Sequence, residues 1–338
     1  MIFQTLNNNL RFKLTWTDYL LAFMFALLGG FQNAGLIPAK TYILGGLGLY
    51  YLVRYPKDAN RANVLLCMLS YVVIGLLHIY IYDYVSKRTL LEIPLLILSG
   101  YFIISILGLK FRYALLQVMT ILAIVSIFFY LAMLLVGYIP HSPLSTTLYP
   151  GNAIFYVVRY NEMALFRNCG PYWEPGAWGG YIVMTFLFFF DSLKELWNKY
   201  RKHVIILVVA LITTRSTQAY LCAFMLFSFY LIGNRINMKT LFMCLALFAF
   251  SFIAYTSLPF LREKIDEQII LTTDWEDNHS LLSANRFTTT MLDIYYIKKH
   301  PFIGNTDDPI RRYGDHSFVL QVIENQGGME QGLALLVI

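Results

Sequence analysis

Hydrocarbon-length apolar runs recur along this chain at 18–36, 39–53, 63–82, 90–109, 113–138, 176–193, 203–214, 217–233, 239–259 and 318–338. A bilayer core holds no water to satisfy backbone N–H and C=O groups, so each such run must satisfy its own, as an α-helix. The expected fold is all-α: a polytopic transmembrane helical bundle of about ten spans, forming a single integral membrane domain over 1–338. Composition agrees, because only 14% of the 338 residues are charged where a soluble domain carries about 25%. Two places depart from simple spans. The run at 39–53 is broken by Gly45, Gly46 and Gly48, and the stretch 203–233 is too long for one helix and carries Arg215 near its middle. The latter reads as a helix pair whose bend presents Thr213-Thr214-Arg215-Ser216-Thr217 at a membrane surface.

The net charge of +6 does not indicate a nucleic-acid partner, because the basic residues sit in short loops that flank apolar runs. Arg11/Lys13, Arg54/Lys57/Arg61, Lys110/Arg112, Lys194 to Lys202 and Arg235/Lys239 fall on alternate connections, which marks those connections as cytoplasmic. The opposite face then holds Asp83–Glu92, the loop 139–175, the Arg215 turn and the large loop 261–316; only Lys87-Arg88 runs against the rule. The partner common to every span is the lipid bilayer. The four cysteines form no framework: Cys67, Cys222 and Cys244 lie in apolar runs, and Cys169 is expected as a free thiol or a packing residue. No cleavable signal peptide is expected, because no small-x-small site follows the first apolar run.

Charge gathers on one face, and several positions there can carry chemistry. Arg215 is either an interface arginine that snorkels to the headgroups or, with Ser and Thr donors on both sides, part of an anion site. In Arg167-Asn168-Cys169-Gly170-Pro171-Tyr172-Trp173-Glu174-Pro175-Gly176, a helix entry explains Glu174 and Pro175. It leaves Arg167 unexplained, so an Arg167–Glu174 pair stays open beside it. Asp274, Glu276 and Asp277 read as a solvated face, with a metal site as the alternative. From Ser283 a helical segment runs to Lys299 and is ended by His300-Pro301-Phe302-Ile303-Gly304. Arg311 follows, and Asp315-His316 stands at the mouth of the last run, where His316 can transfer protons or merely cap a helix.

Ser283-x-x-Arg286, His300-Pro301-Phe302-Ile303-Gly304, His316-Ser317 and Glu324-x-x-Gly327 together resemble the signature region of the O-antigen polymerase and O-antigen ligase superfamily of bacterial membrane proteins. The Thr-Thr-Arg215-Ser-Thr turn is similar to that family's T-x-S-R element, with serine and arginine transposed. Ser317 replaces the usual asparagine, and a second glycine is missing after Gly304-Asn305. The Arg167…Tyr172-Trp173-Glu174-Pro175-Gly176 run looks more like the repeat-unit polymerases than the ligases. The resemblance implies a GT-C-like bundle in the bacterial inner membrane, polymerising undecaprenyl-diphosphate-linked repeat units into O-antigen, capsule or exopolysaccharide. Donor and acceptor would both be lipid-linked glycans, with no metal or nucleotide cofactor and with a chain-length regulator as an expected partner. It implies Arg215, Arg286, Arg167 and Arg311 for the diphosphate or glycan, and His316 as base, with Asp315 or Glu174 in reserve. A ligase acting on lipid A core or protein is the alternative. A lipid-linked oligosaccharide flippase is disfavoured, because its charge should line the helices rather than gather on one face.

Overall fold

A computed structural model describes residues 13–28, 40–55, 61–136, 156–160, 165–172 and 174–233. Eight helices and one hairpin are seen among them: α1 (Trp16–Leu28), α2 (Lys40–Arg54), α3 (Arg61–Tyr82), α4 (Ile93–Leu107), α5 (Lys110–Val136), β1 (Tyr156–Tyr160), β2 (Leu165–Gly170), α6 (Pro175–Leu187), α7 (Leu193–Thr213) and α8 (Thr217–Gly233). Among the described residues, three helical stretches are long and apolar enough to cross a membrane: Arg61–Tyr82, Lys110–Val136, and Arg88–Leu107, which joins a π-turn to α4. A fourth span arises if α6 and the helix after it, which meet at 57°, count as one broken crossing. The described protein is thus a mostly helical membrane protein. The runs at 239–259 and 318–338 lie outside the described residues.

The chain divides into two compact units, Met1–Tyr55 with Leu98–Leu247 and Pro56–Ile97 with Phe248–Ile338. In the second, α3 meets the turn that follows it at Gly75, where a methyl group would collide with Leu90. Ser86 Oγ accepts from Thr89 N at 3.0 Å and holds the start of that turn.

The first unit is organised on α5, whose most apolar 18-residue stretch is 44% buried. In a bilayer, where lipid tails are as apolar as the helix, such burial stabilises through close helix–helix packing rather than transfer out of water. Tyr19 donates to Gln117 and Lys110 lies 3.5 Å from Asp18, which ties α1 to α5. Tyr113 on α5 meets Tyr200 on α7 with ring centroids 5.8 Å apart. Helices α6 and α8 approach so closely at Gly179 that a methyl group there would collide with Ala219. Small residues at a crossing let backbones pack without lipid between them.

Three expectations are corrected here. The glycines do not break the run at 39–53, because α2 passes through Gly45, Gly46 and Gly48 as one helix. The connection 194–202 is helical: it belongs to α7, which is interrupted by non-helical angles at Tyr200 (φ −123°, ψ 27°). Its charge suggests a loop, yet Leu196 on its inner side is buried, as an amphipathic helix requires. The loop 139–175 also contains the antiparallel β1–β2 hairpin, with Val158 opposite Arg167 and a bulge at Tyr156/Val157. Tyr156-Val157-Val158 is rich in β-branched and aromatic residues, but a hairpin is too short to contend with the helical pattern around it.

Candidate functional site

The expected bend at Arg215 is present. Helix α7 ends at Thr213, α8 begins at Thr217, and Arg215 between them adopts left-handed backbone (φ 47°). Such a conformation costs an L-residue roughly 1–2 kcal/mol and persists only where neighbours impose it. Hydroxyls impose it here. Thr213 Oγ1 donates to Ala210 O at 2.8 Å and Thr214 Oγ1 to Leu211 O at 2.7 Å, closing the last turn of α7. Ser216 N then donates to Thr214 Oγ1 at 3.2 Å. Ser216 Oγ accepts from Ala219 N at 3.4 Å, an N-cap for α8.

The hairpin brings the second arginine to the same turn. Arg167 on β2 donates from Nε to Thr214 O at 3.2 Å, capping carbonyls that the end of α7 leaves without helical partners. Beside it Asn168 is fully buried and uses both ends of its amide. Its Nδ2 donates to Ser126 Oγ on α5 at 3.1 Å and to Thr213 Oγ1 at 2.9 Å, and its Oδ1 accepts from Gly170 N at 2.9 Å. One asparagine therefore fixes β2 against both α5 and the Arg215 turn. The strand ends at Gly170 in left-handed backbone (φ 55°), over the buried Trp178 ring. Tyr172 follows, stacked between Trp178 and Tyr181, and its hydroxyl donates to Ala26 O at 3.1 Å. Burial holds this phenol protonated well above its ordinary range, so it remains a donor. Cys169 is buried and in no disulfide, as expected.

Glu174 is the N-cap residue of α6 and Pro175 its first helical position, as the helix-entry reading requires. The Glu174 carboxylate, however, makes no capping bond. It leans instead over Gly176: a methyl group there would lie 3.2 Å from Glu174 Oε1, 3.1 Å from Gln218 Oε1 and 3.4 Å from Ser216 Oγ. Three oxygens from the starts of two helices thus gather above a bare Cα. Tyr220, one turn into α8, donates to Ile212 O at 2.6 Å and lies within electrostatic reach of both Arg167 and Arg215. The Arg215 guanidinium is half-buried and forms no ion pair among the described residues.

Arg167 at the carbonyl of Thr214, Arg215 itself, the N-terminal ends of α6 and α8, and hydroxyl, amide and carboxylate oxygens around Gly176 all lie at or next to this turn. That combination suits an anionic ligand carrying hydroxyl groups. Of the sequence-derived candidates, Arg167, Glu174 and Arg215 are brought together. Arg286, Arg311, Asp315 and His316 lie outside the described residues, as do Asp274, Glu276 and Asp277. Among the described residues no group of three His, Cys, Asp or Glu could hold a metal ion. Sequence reasoning missed Asn168, Gln218 and Tyr220. Asn168 had a signal beside it, since a glycine two residues on marks a turn that an asparagine side chain can brace; the other two had none. No family model matches this chain, and no curated protein or solved structure does either.

Proposed function

We propose that this protein is a metal-independent inverting glycosyltransferase of the bacterial inner membrane that polymerises undecaprenyl-diphosphate-linked repeat units at the outer face. One observation supports the reading most: Arg167, from a sequence-distant strand, bonds the carbonyl of Thr214 next to Arg215, and Arg215 is unpaired by any described carboxylate. A transferase whose leaving group is a lipid diphosphate needs fixed cations where negative charge grows, and guanidinium groups match phosphate oxygens and stay charged. In the reaction an acceptor sugar hydroxyl attacks the anomeric carbon of the donor glycan. The anomeric C–O bond breaks, and its electron pair departs with the diphosphate toward the arginines. The hydroxyl proton passes to a base: His316 is the candidate from the sequence motif, and Glu174 is the carboxylate standing at the described site.

The test is the surface-polysaccharide ladder of a deletion strain complemented with wild-type or variant protein. Polymerase loss leaves core bearing a single repeat unit, restored to long chains by wild type and not by Arg286→Lys or His316→Ala inserted at normal levels. Long lipid-linked chains with a bare core would instead indicate the ligase reaction, and an unchanged ladder would defeat both.

A further inference from the structure

Away from the Arg215 turn, the bend between α6 and α7 shelters a groove of about 330 Å³. Phe186 from α6, Leu196, Trp197 and Val208 from α7, and Phe227 from α8 line it, and the one charged residue in its wall is Lys194. A space of this size with an apolar wall and one polar corner has the character of a small-molecule site.

The charge around that corner is one-sided. Residues 191–202 carry Lys194, Lys199, Arg201 and Lys202 against Asp191 and Glu195. Glu195 is already engaged by Lys199 at 2.7 Å. Lys194 is exposed and forms no ion pair among the described residues. The Arg201 guanidinium lies over the ring of Trp197, itself a lining residue, at 5.1 Å, so a second cation stands next to the groove without lining it. The basic, amphipathic start of α7 contains the break at Tyr200 and gives way after His203 to an apolar stretch running to Thr213. Basic residues and a tryptophan followed by an apolar helix are the marks of a segment lying at the bilayer surface.

We propose that the groove binds an anionic phospholipid of the surrounding bilayer, with an acyl chain against Leu196, Val208 and Phe227, the phosphate at Lys194, and Arg201 beside Trp197 adding positive charge nearby. The apolar wall excludes a polar ligand, and the two cations select a negative headgroup over a zwitterionic one. Basic pockets between membrane helices recognise headgroups in this way. The inference is independent of the glycosyl-transfer reading, because no residue of the Arg215 turn takes part.

Native mass spectrometry of the full chain, titrated with dioleoyl phosphatidylglycerol and dioleoyl phosphatidylcholine, tests it. Phosphatidylglycerol should bind about tenfold more tightly. Lys194→Gln and Arg201→Gln should each weaken it about fivefold and leave phosphatidylcholine unchanged. Val208→Trp, which fills the groove, should weaken both lipids. In parallel, brominated acyl chains should quench tryptophan emission in the wild type, and Trp197→Phe should reduce that quenching. Melting midpoints of the variants confirm that they are folded. Equal binding of the two lipids would overturn the proposal. So would a preference that survives the double variant, or quenching that is absent or independent of Trp197. If another segment of this chain or a second protein fills the groove, the quenching arm fails and the proposal fails with it.

Discussion

Replacing Gly170 by alanine tests whether the end of β2 holds the arginine site in place. Gly170 has φ 55°, and a Cβ added there would lie 2.6, 2.7 and 2.9 Å from three atoms of the Trp178 ring. Two costs follow. The left-handed conformation costs an L-residue roughly 1–2 kcal/mol. Overpacking a closed interior costs roughly 1–3 kcal/mol more, and Trp178 cannot retreat easily because it is fully buried and stacked on Tyr172. The sum, about 2–5 kcal/mol, should appear as a lower melting midpoint of the purified full chain in detergent. Gly180→Ala is the control, since nothing lies within 4 Å of its added methyl. There helix propensity alone should stabilise by up to about 1 kcal/mol. Adding Trp178→Leu to Gly170→Ala removes the collision but not the backbone strain, so the two substitutions should cost less together than the sum of each alone. A Gly170→Ala midpoint equal to that of Gly180→Ala would refute the reasoning, as would strict additivity with Trp178→Leu.

Three further outcomes are expected. Asn168→Ala strands buried partners on α5 and at the Arg215 turn, and should cost about 2–4 kcal/mol by the same melting assay; a change below about 0.5 kcal/mol would show the network to be incidental. Arg215→Lys and Arg167→Lys should separate: both lower chain elongation on the polysaccharide ladder, by about 10²–10³ in rate if each stabilises the leaving group. Only Arg167→Lys should also lower the melting midpoint, because it alone caps α7, and equal midpoints would argue against that cap. Gly179→Val should destabilise the α6–α8 crossing by about 1–3 kcal/mol, and a wild-type midpoint would mean that the helices part there without cost.

The helical membrane class was legible because bilayer physics admits few alternatives: a run such as 113–138 has no other way to satisfy its backbone. The same reasoning found the break at Arg215 and the entry at Glu174-Pro175, since a lone arginine and a proline each forbid an uninterrupted span. It misjudged 194–202, where charge density concealed an amphipathic helix, and it passed over the hairpin.

What the sequence determined by itself was local: which segments are apolar, where helices start and stop, and which polar residues are too costly to be idle. That Arg167 caps the turn carrying Arg215 was decided by tertiary structure alone. It depends on β2 being braced by Asn168 against α5, on Gly170 seating over Trp178, and on α6 and α8 closing at Gly179. Each of these is a contact between residues far apart in the chain, and hydropathy, which is a property of segments, carries no information about which segments meet.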